Sequence, residues 1–288
     1  MNTIGSNQEN NSIYIVIPAR YASSRLPGKP LLKISSKCII SHVASRAKIL
    51  ADKLKQNSHV NKIHLVVATD HQGIFDEVST QNITCIMTSP NLINGTERVY
   101  AAIENLNQKN KLNENDLIIN IQGDEPFFSI EDVENLAITM LKNNEVPLGT
   151  LAFKRNEAEL FFSSSVVKVT KDANQLALYF SRAPIPYPKE LLGATGLDWL
   201  DKINNIKEIS FLHHVGVYAF RYHSLCKFAK IIMSSNLEIC ESLEQLRVLE
   251  AGWKILVTEA TKEPFGIDTP EDLKKAEFHF QKIKDTLL

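Results

Sequence analysis

Three short runs rich in Ile, Leu and Val constrain this chain most: Ile13–Ile17, Ile63–Ala68 and Leu117–Ile121, each followed by polar or glycine residues and then an amphipathic stretch. Short apolar runs of this kind predict strands buried on both faces, as in a parallel sheet. Between the first two, Ile39, Ile40, Val43, Ala47, Ile49 and Leu50 recur at helical spacing over Ile39 to Lys53, and Val99 to Leu106 repeats the pattern. Alternating strand and helix predict an α/β fold with a doubly wound sheet, whose ligands sit beyond the carboxyl ends of the strands. From Pro147 the pattern changes. Pro147–Phe153, Val166–Thr170, Ala177–Phe180 and Val215–Phe220 are strand-like with few long helical runs between them, which predicts a smaller, mixed α/β lobe. Pro184, Pro186 and Pro188 make Ala183 to Leu212 an irregular excursion, a lid or a dimer arm. Leu237 to Ala251 reads as one amphipathic helix. Ser129 reads as the cap of a helix through Leu141, and Asp268-Thr269-Pro270 opens the last helix.

The 288 residues allow about two domains at roughly 150 residues each, but an α/β fold with an outgrowth carries this length as one. Residues 13–288 are therefore expected to form a single domain behind a polar, disordered tail at 1–12. The formal charge is -1, which excludes the broad basic footprint of a protein that coats nucleic acid. Any anion site must be local. Cys38, Cys85, Cys226 and Cys240 form no CxxC pair and are expected as buried free thiols. No signal peptide is visible, and no apolar run approaches the roughly 18 residues that cross a bilayer, so a cytoplasmic protein without membrane insertion is expected.

The densest chemical signal is Arg20-Tyr-Ala-Ser-Ser-Arg25-Leu-Pro-Gly28-Lys29-Pro30, directly after the first strand. Arg20, Arg25 and Lys29 bring three positive charges together, while Ser23, Ser24 and Gly28 let backbone donors approach an anion, the make-up of a triphosphate loop. An ordinary solvated basic turn is the bland alternative. Pro30 after Gly28-Lys29 excludes a Walker loop, and the absence of GxGxxG excludes a dinucleotide-binding fingerprint.

This loop, NGTER at Asn94–Arg98, INIQGDEP at Ile119–Pro126, YFSRAPIP at Tyr179–Pro186, LEQLRVLE at Leu243–Glu250 and GIDTPEDL at Gly266–Leu273 closely resemble, in the same order, the 3-deoxy-manno-octulosonate cytidylyltransferase family. Asn94 departs from the family's serine, and Asp52 to Asn61 looks like an addition. The resemblance implies a three-layer lobe of the nucleotide-diphospho-sugar transferase type, with residues 177–250 forming a lobe that binds sugar and makes a homodimer. It implies transfer of CMP from CTP to the anomeric hydroxyl of 3-deoxy-D-manno-octulosonate (Kdo), releasing pyrophosphate, for lipopolysaccharide synthesis. Such chemistry rests on cations and alignment rather than on a covalent protein intermediate.

Arg20, Lys29, Asp124 and Asp268 are the catalytic residues so implied, with Asp124 and Asp268 as ligands of Mg2+, a hard ion held by one or two carboxylates plus substrate oxygens. On the sequence alone, Asp268 or Thr269 reads as the cap of the last helix. Arg20, Arg25, Gly28, Lys29, Gly95, Thr96 and Gln122 are implied to bind CTP. Gln122, Arg182, His214, Tyr218, Glu244 and Gln245 are implied to bind Kdo, with Arg182 on the sugar carboxylate. His214 and Tyr218 are four apart on an expected strand and so share a face. Taken alone, His214 reads as a structural histidine and Glu244 as part of a solvated helix face, paired with Arg247. Asp70 reads as a helix cap, and His42, His59, His64, His71 and His279 carry no chemistry. Two readings stay beside Kdo transfer: a cytidylyltransferase for 8-amino-Kdo or sialic acid, and a non-catalytic nucleotide or sugar-acid binder.

Overall fold

A computed structural model describes residues 11–22, 26–192, 208–230 and 235–286. Its strands are β1 (Asn11–Ala19), β2 (Lys33–Ile34), β3 (Lys37–Cys38), β4 (Val60–Thr69), β5 (Thr84–Met87), β6 (Leu117–Asn120), β7 (Leu148–Glu157), β8 (Lys168–Lys171), β9 (Ala177–Ser181), β10 (Glu208–Arg221) and β11 (Ile255–Ala260). The first four helices are α1 (Ile39–Leu54), α2 (Gln72–Ser79), α3 (Gly95–Asn107) and α4 (Ile130–Lys142).

β1 is buried along its whole length, which leaves it no face for water and obliges helices to cover both sides. Ile13, Ile15 and Ile17 point into one core with Val43, Ala47 and Leu50 of α1 and Leu136 and Met140 of α4. Tyr14 and Val16 point into the opposite core, with Val99 and Ile103 of α3 and with Leu225, Phe228 and Leu246. Each fully buried Ile contributes about 1.5–3 kcal/mol by leaving water. The outcome is the three-layer α/β sandwich expected.

The sheet runs β11-β7-β10-β6-β1-β4-β5. β1 pairs in parallel with β4 and β6, and β4 in parallel with β5. From β1 the chain winds outward to β5, and α3 then carries it back to β6 on the other side of β1. Strand order reverses between β1 and β6, and that is where a crevice opens at the carboxyl ends of such a sheet. β10 runs antiparallel to both β6 and β7 and extends outward to carry β8, which pairs with β9. A third cluster, Leu26, Ile34, Ile39, Ile267 and Ala276, seats the helix Pro270–Thr286 against the β2–β3 hairpin, so the end of the chain returns to the loop after β1.

Several expectations are corrected. Asn11 and Ser12 belong to β1 rather than to a tail, since Asn11 pairs with Val60 and the Ser12 amide donates to Asp116 Oδ1 at 2.8 Å; the rest of the expected tail lies outside the described residues. The irregular excursion contains a helix at Lys189–Leu192, and β10 begins at Glu208, before its expected end; the segment between lies outside the described residues. Leu237 to Ala251 is two helices, Asn236–Glu241 and Gln245–Glu250, broken where Ser242 takes φ +52°. β5, β11 and the short hairpin were not anticipated. All four cysteines are free, but only Cys38 is fully buried and Cys240 is exposed. Among the described residues no helix is long and apolar enough to cross a membrane.

Candidate active site

The crevice at the β1/β6 reversal is lined by Pro18, Arg20, Lys29, Gly95, Gln122 and Asp124, with Asp268 arriving from the far end of the chain. Its shape depends on glycines. A side chain at Gly123 would stand 2.7 Å from the Pro18 carbonyl oxygen, so only glycine lets the exit of β6 lie against β1. Gly28, at φ +66°, turns the loop into the short helix Lys29–Leu31 and brings Lys29 inward.

Lys29 is the hub. Its Nζ donates to Asp124 Oδ2 at 2.5 Å, to Asp268 Oδ1 at 3.0 Å and to the Ile267 carbonyl at 2.7 Å, contacts that reach 95 to 239 positions along the sequence. The expected convergence of the two aspartates is thus present, and the lysine expected to face phosphate lies buried between them. Asp268 is not the cap of its helix. Thr269 Oγ1 accepts from the Asp272 amide at 3.2 Å, and Asp272 Oδ2 accepts in return from the Thr269 amide at 3.0 Å. That reciprocal box supplies the cap and leaves the Asp268 carboxylate to Lys29. Beside them, burial and the charges of Asp124 and Asp268 push Glu125 up to about 8, with Lys29 opposing.

A second charged strut escaped the sequence reading. Asp70, at the end of β4, accepts from Arg98 Nη2 at 2.9 Å, and its other oxygen accepts from the Tyr21 amide at 3.1 Å. Arg98 lines the crevice and also donates to Thr88 Oγ1 at 2.6 Å. Asp70 therefore ties the root of the basic loop to the first turn of α3. The cap assigned to it belongs to His71, whose Nδ1 accepts from the Gly73 amide while its ring stacks on Tyr21 at 3.9 Å. Asp70 follows β4 as Asp124 follows β6, so its place at a parallel strand's carboxyl end was the available signal. Asn94 caps α3 by accepting from the Glu97 amide at 2.8 Å, and Glu97 returns a bond to the Ile93 amide. Asn and Ser cap equally well, so the exchange keeps the cap of α3.

From the crevice, Gln122 reaches across to the Gly216 carbonyl of β10 at 3.3 Å. There β10 is irregular: His214 pairs with Ala152 and Tyr218 with Thr150, so two extra residues are taken up and parity is kept. His214 and Tyr218 do share a face, with ring centroids 5.5 Å apart. His214 Nε2 bonds Thr150 Oγ1 at 3.0 Å, and Tyr218 donates to Gln245 Oε1 at 3.2 Å. Burial lowers His214 to about 3 and raises Tyr218 well above the ordinary phenol range, so both are neutral at pH 7. Glu244 accepts from Thr96 Oγ1 at 2.6 Å, and burial raises its carboxyl. The break at Ser242 buries Gln245 and leaves Glu244 half-buried against Thr96 rather than on a solvated face, and Arg247 forks Glu238 with two bonds of 2.6 Å. Gln245 Nε2 and both amide atoms of Asn120, which lies opposite Tyr218, are buried without a partner among the described residues.

Arg182 stands apart. Its guanidinium donates to the carbonyls of Glu241, Ser164 and Ser242, which ties β9 to the Asn236–Glu241 helix. Arg25, with Ser23 and Ser24, lies outside the described residues.

Comparison with known proteins agrees with this geometry. The pattern of the Cytidylyltransferase family matches residues 14–255. The 3-deoxy-manno-octulosonate cytidylyltransferase of Pseudoalteromonas translucida is 40% identical over 268 residues, 93% of this chain and 97% of that protein. This chain belongs to the 3-deoxy-manno-octulosonate cytidylyltransferase family. Another member, from Thermodesulfovibrio yellowstonii, is 40% identical over 91% of this chain and 95% of its own length. The solved structure of a CMP:2-keto-3-deoxy-manno-octonic acid synthetase complexed with CTP is 36% identical, with a TM-score of 0.77 over 94% of this chain and 99% of that one. As a family member the chain is a nucleotidyltransferase with the nucleotide-diphospho-sugar transferase fold.

Proposed function

We propose that this chain transfers CMP from CTP to the anomeric hydroxyl of Kdo and releases pyrophosphate. One observation supports it above the others: Lys29, Asp124 and Asp268 converge at the mouth of the β1/β6 crevice, on the same wall as Arg20. Attack on the α-phosphorus requires neutralised phosphate oxygens and an aligned hydroxyl, and this crevice has cations for the first and polar side chains for the second.

The donor set fits magnesium. Two hard carboxylate oxygens and the Ile267 carbonyl already converge on one cation, and Asp124 and Asp268 would hold the ion. When bound, Mg2+ supplies charge neutralisation on the triphosphate. Arg20, Gly28 and Lys29 hold phosphate oxygens, joined by Arg25 of the same loop. Gly95 and Thr96, at the N-terminal turn of α3, and Gln122 position the nucleotide.

Kdo lies toward β10. Gln122 bridges the two ends, and Tyr218, His214, Glu244 and Gln245 offer donors and acceptors to hydroxyls, with amide groups at Gln245 and Asn120 that have no partner among the described residues. In this geometry Arg182 supports the lobe from behind and reaches Kdo only by releasing carbonyls. The same lobe mates with a second copy: Leu178 on β9 and Ile239 are 62% and 64% exposed, and β9 pairs with β8 alone among the described strands. Sedimentation velocity should give a dimer. Free thiols, one exposed, suit the reducing cytoplasm.

The test is pyrophosphate release with CTP and Mg2+ across Kdo, 8-amino-Kdo and sialic acid. Kdo should give the highest kcat/KM, and absence of CTP-dependent release with every sugar acid overturns the reading.

A further inference from the structure

The position of Lys29 carries a consequence for how the site is loaded. All three protons of its ammonium are engaged by oxygens of Asp124, Ile267 and Asp268. Two of them, the carboxylate oxygens of Asp124 and Asp268, are those that the proposed reading assigns to a divalent ion. Mg2+ approaches its oxygens to about 2.0–2.1 Å, closer than the 2.5 and 3.0 Å at which Lys29 holds them. An ammonium held between the two carboxylates offsets their charge and repels a dication brought to the same pair.

We propose that Lys29 is a built-in counter-ion that occupies the cation place between Asp124 and Asp268 in the free protein and exchanges with the divalent ion when the nucleotide enters. The inference rests on the reading of the crevice as a metal-dependent CTP site. It assigns Lys29 two stations: the carboxylates when the site is empty of substrate, and the triphosphate when it is full.

Three features suit such an exchange. The root of Lys29 is fixed, since Gly28 at φ +66° and Pro30 hold the short helix Lys29–Leu31, so movement falls to the side chain. Lysine is a compact charge on a flexible four-carbon stem, whereas arginine would grip the carboxylates as a rigid fork. The cradle is open on the carboxylate side: the Lys29 side chain is 11% exposed, while Asp124 and Asp268 are 34% and 47% exposed. An ion can therefore approach the oxygens from solvent while the lysine sits behind them. Without nucleotide, an entering ion meets an ammonium held against the same carboxylates, with no phosphate beside it to take up the displaced charge. With nucleotide, the displaced ammonium moves onto phosphate. Ion and nucleotide thereby assist each other's binding to the same degree, as linkage requires.

The direct test is Mn2+ affinity, read by electron paramagnetic resonance of free Mn2+, in the full chain without nucleotide. Lys29→Met removes the competing charge and keeps the stem, and it should bind Mn2+ at least tenfold more tightly than wild type. Lys29→Gln, which keeps donors for the two carboxylates should the Met variant fold poorly, should shift in the same direction. Adding Asp124→Asn to either variant should abolish the gain, which places the ion at this cradle. Thermal melts add a second readout, with Mn2+ raising Tm more in Lys29→Met than in wild type. Equal or weaker Mn2+ binding by both folded single variants overturns the exchange. The proposed activity is judged separately: wild-type protein that releases pyrophosphate from CTP and Kdo, paired with unshifted Mn2+ binding, leaves that reading standing and removes only this one.

Discussion

At the mouth of the β1/β6 crevice the carboxylates of Asp124 and Asp268 meet buried Lys29 with access to water, whereas toward β10 His214, Tyr218 and Gln245 meet as neutral groups sealed from it. The first end is assembled by ion pairs between segments far apart in the chain, the second by hydrogen bonds across an irregular strand. Charges cannot be wholly buried without large desolvation costs, and the two carboxylates stay at the rim. Groups that must tell one hydroxyl from another gain from burial, because an unmatched hydroxyl then leaves a polar atom unpaired. On the proposed function, electrostatic stabilisation belongs to one end and selectivity to the other.

The largest effects should come from the charged end. Asp124→Asn and Asp268→Asn are each expected to lower kcat/KM by about 10²–10³-fold, and the double variant should fall little further, since either loss disables one unit. Because Thr269 and Asp272 supply the helix cap, the Tm of Asp268→Asn should stay near wild type. Equal activity in that variant would reduce Asp268 to an anchor for Lys29.

Asp70→Asn should be the costlier change for folding. Its ion pair with Arg98 is almost fully buried, at 9% and 3% side-chain exposure, and breaking such a pair costs about 3–5 kcal/mol. Urea unfolding measures this, and KM for CTP should rise in the folded fraction because Asp70 also holds the Tyr21 amide.

At the neutral end, Tyr218→Phe removes the bond to Gln245 and should raise KM for Kdo about tenfold while leaving KM for CTP unchanged. Equal shifts in both constants would break the division between the two ends. His214 sharpens it through pH. Burial lowers its folded value to about 3, so the unfolded chain binds the extra proton once pH falls below about 6.5. Stability is therefore full above that pH and is lost as the solution is acidified, by about 1.4 kcal/mol per unit for this group. Thermal melts of wild type and His214→Asn from pH 7.5 to 5 should show a shallower acid loss in the variant.

The smallest effect is expected at Asn94. Replacement by Ser should change stability by less than about 0.5 kcal/mol and replacement by Ala should cost about 1 kcal/mol, since only the alanine removes the cap. A large loss in Asn94→Ser would mean that the amide does something at the crevice rim that a hydroxyl cannot.

These contrasts also explain what was legible before the fold was known. β1, β4 and β6 announce themselves because strands covered on both faces must be apolar, and Asp124 and the basic loop are found from their place at strand ends. β5, with Met87 46% exposed at the sheet's edge, and the two-residue strands of the hairpin are too short or too mixed to stand out. The break at Ser242 had no visible cause, because a helix-compatible pattern continues across it, and with it went the burial of Glu244. Asp70 looks locally complete as a cap, and the sequence around Lys29 shows no carboxylate beside it, because the partners of both come from segments that only the winding of the sheet brings near.

The seating of Ile267 and Ala276 against the loop after β1 makes the last stretch of the chain a condition of competence. During synthesis the crevice, the basic loop and Asp124 are all made before Asp268 and the helix that presses it into place. A chain cut short of Ile267 holds Lys29 with one carboxylate instead of two and lacks the apolar wedge that closes Leu26 and Ile34 from water. Copies truncated before Ile267 should therefore compete poorly for nucleotide.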